Sequence, residues 1–289
     1  LKEKISFETR VMGYRRLKTR IAIDQIRRKF RGKIHTVFFG EFRSQWMHFA
    51  RFAVAPRKFV LIDDGSATLQ AWEEYISHGI FYPHNRFRKG TRLKRALDRL
   101  TFFGLVDKAQ VNERIEIASS FVNGSGVYNV DFSEIKKLMN TPRQYIASPE
   151  VARVFFFGSK YSEAGIISQR YELEFLARIF DFYNSQGKKI IYVAHRDESE
   201  EKLEVIQREY GIECTRPSLP AELFLLNKDY YFEISGAYSS VLNNARIIFP
   251  EAKIISFRLR PSETSRAQRG QIERIYQHLS KIGVEVHFL

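Results

Sequence analysis

The chain has 289 residues, is 44% hydrophobic and 14% aromatic, and carries a formal net charge of +14. This is too apolar for a disordered chain, and the charge points to an anionic partner: nucleic acid, a membrane surface, or phosphorylated or acidic sugars. The single cysteine, Cys214, excludes an intramolecular disulfide and a Cys-based zinc site and fits a reducing compartment; no apolar run approaches the ~18 residues that span a bilayer, and no signal peptide is visible.

Residues 1–33 are the most basic stretch, with 12 Lys/Arg against 3 Asp/Glu. Within it, Tyr14–Phe30 sets Leu17, Ile21, Ile23 and Ile26 among cations, the pattern of a basic amphipathic helix. Such a helix packs on its own domain, docks on an anionic membrane or acts as a nucleic-acid arm. Strands and helices then alternate. Thr36–Phe39 reads as a strand ending at Gly40, Gln45–Ala53 as a helix, and Lys58–Ile62 as a strand closed by Asp63-Asp64-Gly65-Ser66. Ala67–Ile76 has helical spacing, Arg86–Leu100 reads as a basic loop running into a helix, and Arg114–Ala118 is a further strand. Thr141-Pro142-Arg143 and the residues to Pro149 read as a linker.

A second block repeats the logic. Val154–Phe157, Lys189–Val193 and Ile254–Phe257 read as strands, Ala245–Phe249 is a strand candidate, and Ser168–Ser185, Ser199–Tyr210 and Arg269–Ile282 read as helices. Leu223–Leu226 and Tyr231–Ile234 belong to the unit in between, and Ser235–Asn244 opens a loop or helix. Strands separated by ten- to fifteen-residue helices imply parallel sheets with crossover helices. The expected fold is α/β, two Rossmann-like domains facing a central cleft, with residues 1–148 forming the first domain and 149–289 the second.

Ligands of open parallel sheets bind beyond the carboxyl ends of the strands, which singles out three places. Asp63-Asp64-Gly65 puts two carboxylates at a strand end, where one can serve as a general base or merely cap the next helix. His195-Arg196 follows Val193-Ala194; an imidazole at a strand tip can donate to a phosphate oxygen or protonate a leaving group, and Arg196 can bind phosphate or pair with Asp197 or Glu198. Ser235–Ser240 offers small hydroxyl residues at a helix start, an anion site or an ordinary cap. The other six histidines lack metal-ligand spacing, and no phosphate-binding P-loop, dinucleotide fingerprint, hydrolase elbow or RNA-recognition signature is present.

Taken in order, these motifs resemble those of the bacterial sialyltransferases: an acidic pair followed by Gly (Asp63-Asp64-Gly65), a histidine motif (His195-Arg196) and a serine pair (Ser239-Ser240). The closest likeness is to the glycosyltransferase family 52 group of lipooligosaccharide and capsule sialyltransferases. In the C-terminal half it adds Phe157-Gly158-Ser159 with Glu163, Tyr192–Glu198, Arg216-Pro217 and Pro220-Ala221-Glu222, and it covers roughly residues 36–257. The resemblance implies a two-domain GT-B-type architecture and an inverting, metal-independent enzyme that moves a nonulosonic acid, usually sialic acid, from a CMP-activated donor to a glycan hydroxyl of a lipooligosaccharide or surface polysaccharide. It needs no cofactor beyond that donor. It implies that His195 contacts the CMP phosphate as general acid, that Ser239 and Ser240 bind the phosphate, and that Glu222 holds the ribose in a loop shaped by Pro220. Gly158, Ser159 and Arg196 complete the donor side. Gly40, Asp63 and Gly65 fall on the acceptor side, and the base is Asp64 or Glu163. Arg196 departs from the family pattern, which has proline there.

The partners that follow are the CMP-sugar, a glycan acceptor on lipid or polysaccharide, and an anionic membrane surface met by the basic N-terminal segment. No nucleic acid is expected, and a homodimer is left open. The expected location is cytoplasmic, peripheral on the inner face of the bacterial inner membrane. Two rival readings stand beside this one: another GT-B enzyme using CMP-Kdo, CMP-legionaminic acid or a UDP-sugar, and a basic nucleic-acid-binding protein.

Overall fold

The computed structural model describes residues 14–63, 65–83, 93, 96–97, 100, 104, 111, 113–132, 153–228 and 232–289. Asp64, the linker at 141–149 and the expected domain boundary at 148/149 lie outside these residues; of the basic stretch 86–100, only Leu93, Ala96, Leu97 and Leu100 are described, all helical and exposed. The chain divides into two compact units, Leu1–Val130 and Asp131–Leu289.

The first unit carries helix α1 (Tyr14–Phe30), strand β1 (Thr36–Phe39), α2 (Gln45–Val54), β2 (Lys58–Ile62), α3 (Ser66–Glu74), β3 (Ile115–Ser119) and β4 (Val127–Asn129). The four strands form one parallel sheet in the order β1-β2-β3-β4. Phe39, Phe59, Leu61, Ile115 and Ile117 fill a core with Leu69 and Ala71 of α3. Ile23 of α1 is buried against Phe49, Phe52 and Ala53 of α2, whereas Leu17 and Ile21 stay exposed. Among the described residues no helix is long and apolar enough to cross a membrane.

The second unit is a six-stranded parallel sheet of β5 (Arg153–Phe157), β6 (Lys189–Val193), β7 (Glu213–Thr215), β8 (Phe232–Gly236), β9 (Ile254–Phe257) and β10 (Glu285–His287). The helices between them are α4 (Gln169–Asn184), α5 (Glu200–Tyr210), α6 (Ala221–Leu226), α7 (Ser240–Ile248) and α8 (Arg269–Lys281). The strand order is β10-β9-β8-β5-β6-β7. Numbered from β5, this is the doubly wound 3-2-1-4-5-6 order read from the other edge.

Side-chain alternation along the strands divides the interior in two. Val154, Phe156, Ile190 and Tyr192 face Phe175, Leu176 and Ile179 of α4 and Leu203 and Ile206 of α5. Phe155, Phe157, Ile191 and Val193 face Leu242, Ala245 and Ile248 of α7 and Ile275 and Leu279 of α8. Burial on both faces is why the central strands read as unbroken apolar runs rather than alternating ones. The unit is thus α/β and Rossmann-like, as expected. Ala245–Phe249 is a correction: Ala245–Ile248 form the last turn of α7, not a strand. Leu242, Ala245 and Ile248 recur at helical spacing, and that period outweighs the local β-propensity of Ile-Ile-Phe.

Candidate active site

All strands of the second sheet run parallel, and Phe157 is level with Val193 on one side and Gly236 on the other. The loops that begin at Gly158, Ala194 and Ala237 therefore leave the same edge from adjacent strands. The chain steps outward from β5 to β6 and β7, then returns to lay β8 on the opposite side of β5. That reversal opens the crevice in which doubly wound sheets hold ligands. Tyr161 and Tyr238, with rings 5.1 Å apart, join the loops after β5 and β8.

His195 stands at the tip of β6 with its side chain 37% exposed. Its backbone is fixed twice by one residue: its N–H donates to Glu198 Oε2 at 2.5 Å, and its carbonyl accepts the N–H of Glu198 at 3.1 Å. The ring is fixed by the N–H of Asp197, which donates to Nδ1 at 3.1 Å. An occupied Nδ1 lone pair assigns the neutral tautomer, with the proton on Nε2. The imidazole is held below the ordinary histidine range, mainly by burial, with Lys160 and Arg196 acting in the same direction and Asp197 and Glu198 opposing. Arg196, 86% exposed, reaches only to 3.8 Å from Asp197 Oδ1, while Lys160 binds Asp197 at 2.6 Å.

Behind the histidine lies a buried ionic cluster. Lys202 of α5, 1% exposed, places Nζ 2.6 Å from Glu172 and 2.6 Å from Glu198, 3.4 Å from Glu163, and 3.0 Å from the carbonyl of Ser159. Burial disfavours its charge, but Glu198 and Glu172 prevail and hold the ammonium above the ordinary lysine range. Burial pushes the Glu172 carboxyl up despite Lys202. Glu163 is desolvated too, yet backbone N–H bonds, including 3.1 Å from Ser199, and Lys202 together draw it below the ordinary carboxylate range. Glu198 also accepts from Tyr192 Oη at 2.6 Å. Gly158 is needed here for space: a Cβ would collide with Tyr192 Oη and stand 2.7 Å from Glu198 Oε2.

The hydroxyl of Ser239 accepts the N–H of Val241 at 3.2 Å and caps the nine-residue α7, with Ser240 as its first residue. Pro220 precedes α6, and Glu222 in its first turn accepts from Asn244 of α7 at 2.7 Å, linking the two helices. In the first unit, Asp63 Oδ2 accepts the N–H and hydroxyl of Ser120 at 2.6 and 3.1 Å, which ties the ends of β2 and β3. Gly65 takes φ +56°, ψ −141° ahead of α3, a conformation open to glycine and closed to residues with a Cβ. Gly40 follows β1, half-buried, with open space where a side chain would stand. No group of three or more His, Cys, Asp or Glu side chains among the described residues is arranged to hold a metal ion. Sequence reasoning passed over Lys160, Glu172 and Lys202, and named Tyr192 within a motif without giving it a role. The one available signal was the i,i+4 spacing of Glu198 and Lys202 across the start of α5.

Fold and site together define a Rossmann-like α/β protein whose polar loops gather at the carboxyl edge of a doubly wound sheet. The family model described as alpha-2,8-polysialyltransferase matches residues 23–258, most of the chain. The chain belongs to that family and is a sialyltransferase of the glycosyltransferase class, with a sugar donor and a glycan acceptor as its implied partners. Curated proteins gave no match.

Proposed function

We propose that this chain transfers sialic acid from a CMP-activated donor to a glycan hydroxyl, inverting the anomeric centre without a metal, in a GT-B arrangement of its two units. The observation that carries this reading is the neutral His195 imidazole: Asp197 N–H fills Nδ1 and leaves Nε2–H as the ring's donor at the carboxyl edge of β6. As the glycosidic bond breaks, negative charge builds on the departing phosphate. Nε2–H and the hydroxyls of Ser239 and Ser240 supply preorganised donors for it, an effect worth roughly 10²–10³ in turnover per donor. A hydrogen bond suffices, because the phosphate of CMP leaves as a stable anion. Glu222 takes the ribose hydroxyls and Gly158 and Ser159 line the donor side, while Arg196 stands in the family's proline position as an exposed cation beside the nucleotide.

The base assignment goes to Asp64, with Glu163 second. Glu163 is already committed to Ser199 N–H and Lys202, and its lowered pKa weakens it as a proton acceptor. The acceptor we propose is the hydroxyl of a preceding sialic acid in an α2,8 linkage, a reading that the family's name, alpha-2,8-polysialyltransferase, supports. A growing polyanion of that kind suits a chain of net charge +14. We further propose that α1, with Arg27 and Arg28 in its last turn and Leu17 and Ile21 exposed, holds the enzyme on the anionic inner face of the membrane.

Thermal unfolding with CMP, UDP and GDP tests the donor. Ligand at 100 times its Kd stabilises by about 2.7 kcal/mol, so CMP should raise the melting temperature and UDP should not. The reverse pattern would transfer the assignment to a UDP-sugar enzyme.

A further inference from the structure

The grip of Glu198 on His195 has a purpose that stability does not supply. A buried ion cluster stabilises little, because desolvating its members offsets most of their attraction, and well-packed apolar groups of similar volume do as well or better. Yet Lys202, Glu172 and Glu198 all have side chains no more than 1% exposed. What the cluster does deliver is position. Glu198 holds both backbone polar groups of His195, and its own carboxylate has no freedom left: one oxygen takes Tyr192 Oη and Lys202 Nζ, the other the His195 N–H. Lys202 extends the same frame to the Ser159 carbonyl on the neighbouring loop. Gly158 clears the space in which Tyr192 and Glu198 meet.

We infer that Glu198 is a positioning residue for the reaction, holding the His195 imidazole at its working place at the strand edge through a carboxylate locked by Tyr192 and Lys202. The inference rests on the role proposed for His195. A misplacement of ~1 Å at a reacting group costs on the order of 10²-fold in rate, so the placement of this loop bears directly on kcat.

The test compares Glu198→Gln, Tyr192→Phe and His195→Ala with the wild-type full-length chain in sialyl transfer from the CMP-activated donor, alongside thermal unfolding. NMR titration of the His195 ring, assigned by its loss in His195→Ala, adds a readout that a packing role would not move. The charged groups around that ring are Asp197, Lys160, Glu198 and Arg196. Glu198→Gln should lower kcat by ~10–100-fold with little change in donor KM, and move the ring titration to lower pH because a carboxylate that favours the imidazolium is gone. Tyr192→Phe keeps that charge and loosens the carboxylate, so kcat should fall several-fold with the titration nearly in place. Should Glu198→Gln fail to fold, Tyr192→Phe carries the test alone, and wild-type kcat in it would overturn the inference. A folded Glu198→Gln with wild-type kcat and an unmoved titration would do the same. Full turnover in His195→Ala would instead remove the role of His195 itself, whereas an inactive His195→Ala beside an unimpaired Glu198→Gln removes only the positioning role.

Discussion

Replacing Lys202 with methionine keeps the length and apolar character of the stem and deletes one charge. In the wild type that ammonium lies 2.6 Å from both Glu172 and Glu198, and the side chains of all three are 1% exposed or less. Methionine leaves two carboxylates buried together with no cation between them. Breaking a buried pair by removing one partner costs about 3–5 kcal/mol. For a unit of this size each kcal/mol lowers the melting temperature by roughly 2–4 °C, so a fall of ~6–20 °C is expected at neutral pH. The pH dependence is the sharper signature. Without Lys202 the Glu172 carboxyl, already pushed up by burial, titrates in the folded state further above its unfolded value, so the folded chain binds more protons than the unfolded one and stability falls as pH rises. Lys202→Met should therefore be damaged more at pH 8 than at pH 5. Adding Glu172→Gln and Glu198→Gln should recover much of the loss, since the orphaned charges go with them. The assay is thermal and urea unfolding of wild type and variants at both pH values. A loss under ~1 kcal/mol, or one that is the same at pH 5 and pH 8, would refute the view that this lysine neutralises a buried anionic cluster.

Two further outcomes are expected. Gly158→Ala should lower both the melting temperature and kcat, because its methyl enters the space of Tyr192 Oη and Glu198 Oε2; a variant with normal turnover and unfolding would contradict the close packing described. His48, fully buried with Nε2 donating to the Phe42 carbonyl at 2.7 Å, has its pKa lowered to about 3, chiefly by burial. Below pH 6.5 the unfolded chain takes a proton that the folded chain refuses, so stability should fall by about 1.4 kcal/mol per pH unit from pH 6.5 towards 3. His48→Gln keeps an N–H donor and should flatten that slope in urea titrations.

Much of the fold was legible because a parallel sheet covered on both faces writes its strands as plain apolar runs. Thr-Val-Phe-Phe, Lys-Phe-Val-Leu-Ile and Lys-Ile-Ile-Tyr-Val all lie where their composition placed them. The same signal misled at Ala245–Phe249, where Ala245, Ile247 and Ile248 belong to a helix whose N-cap, Ser239, sits further upstream and Phe249 follows its last residue. The short strands β4, β7 and β10 escaped notice for the opposite reason. Val-Tyr-Asn, Glu-Cys-Thr and Glu-Val-His are only partly buried and carry little pattern. The candidate site divides likewise. His195 and Ser239 stood out as polar groups after apolar strands, but nothing in Arg-Asp-Glu-Ser-Glu-Glu-Lys marks which of its charges turn inward. Only the tertiary structure turns Glu198 and Lys202 inward while Arg196 stays in water.

One ammonium group, on Lys202, is anchored to the carbonyl that follows β5 and to the carboxylate that grips the tip of β6. Parts moored to one point do not drift independently. Thermal jitter at Ser159 is therefore shared with His195, and a change that slackens either loop will be felt at the other.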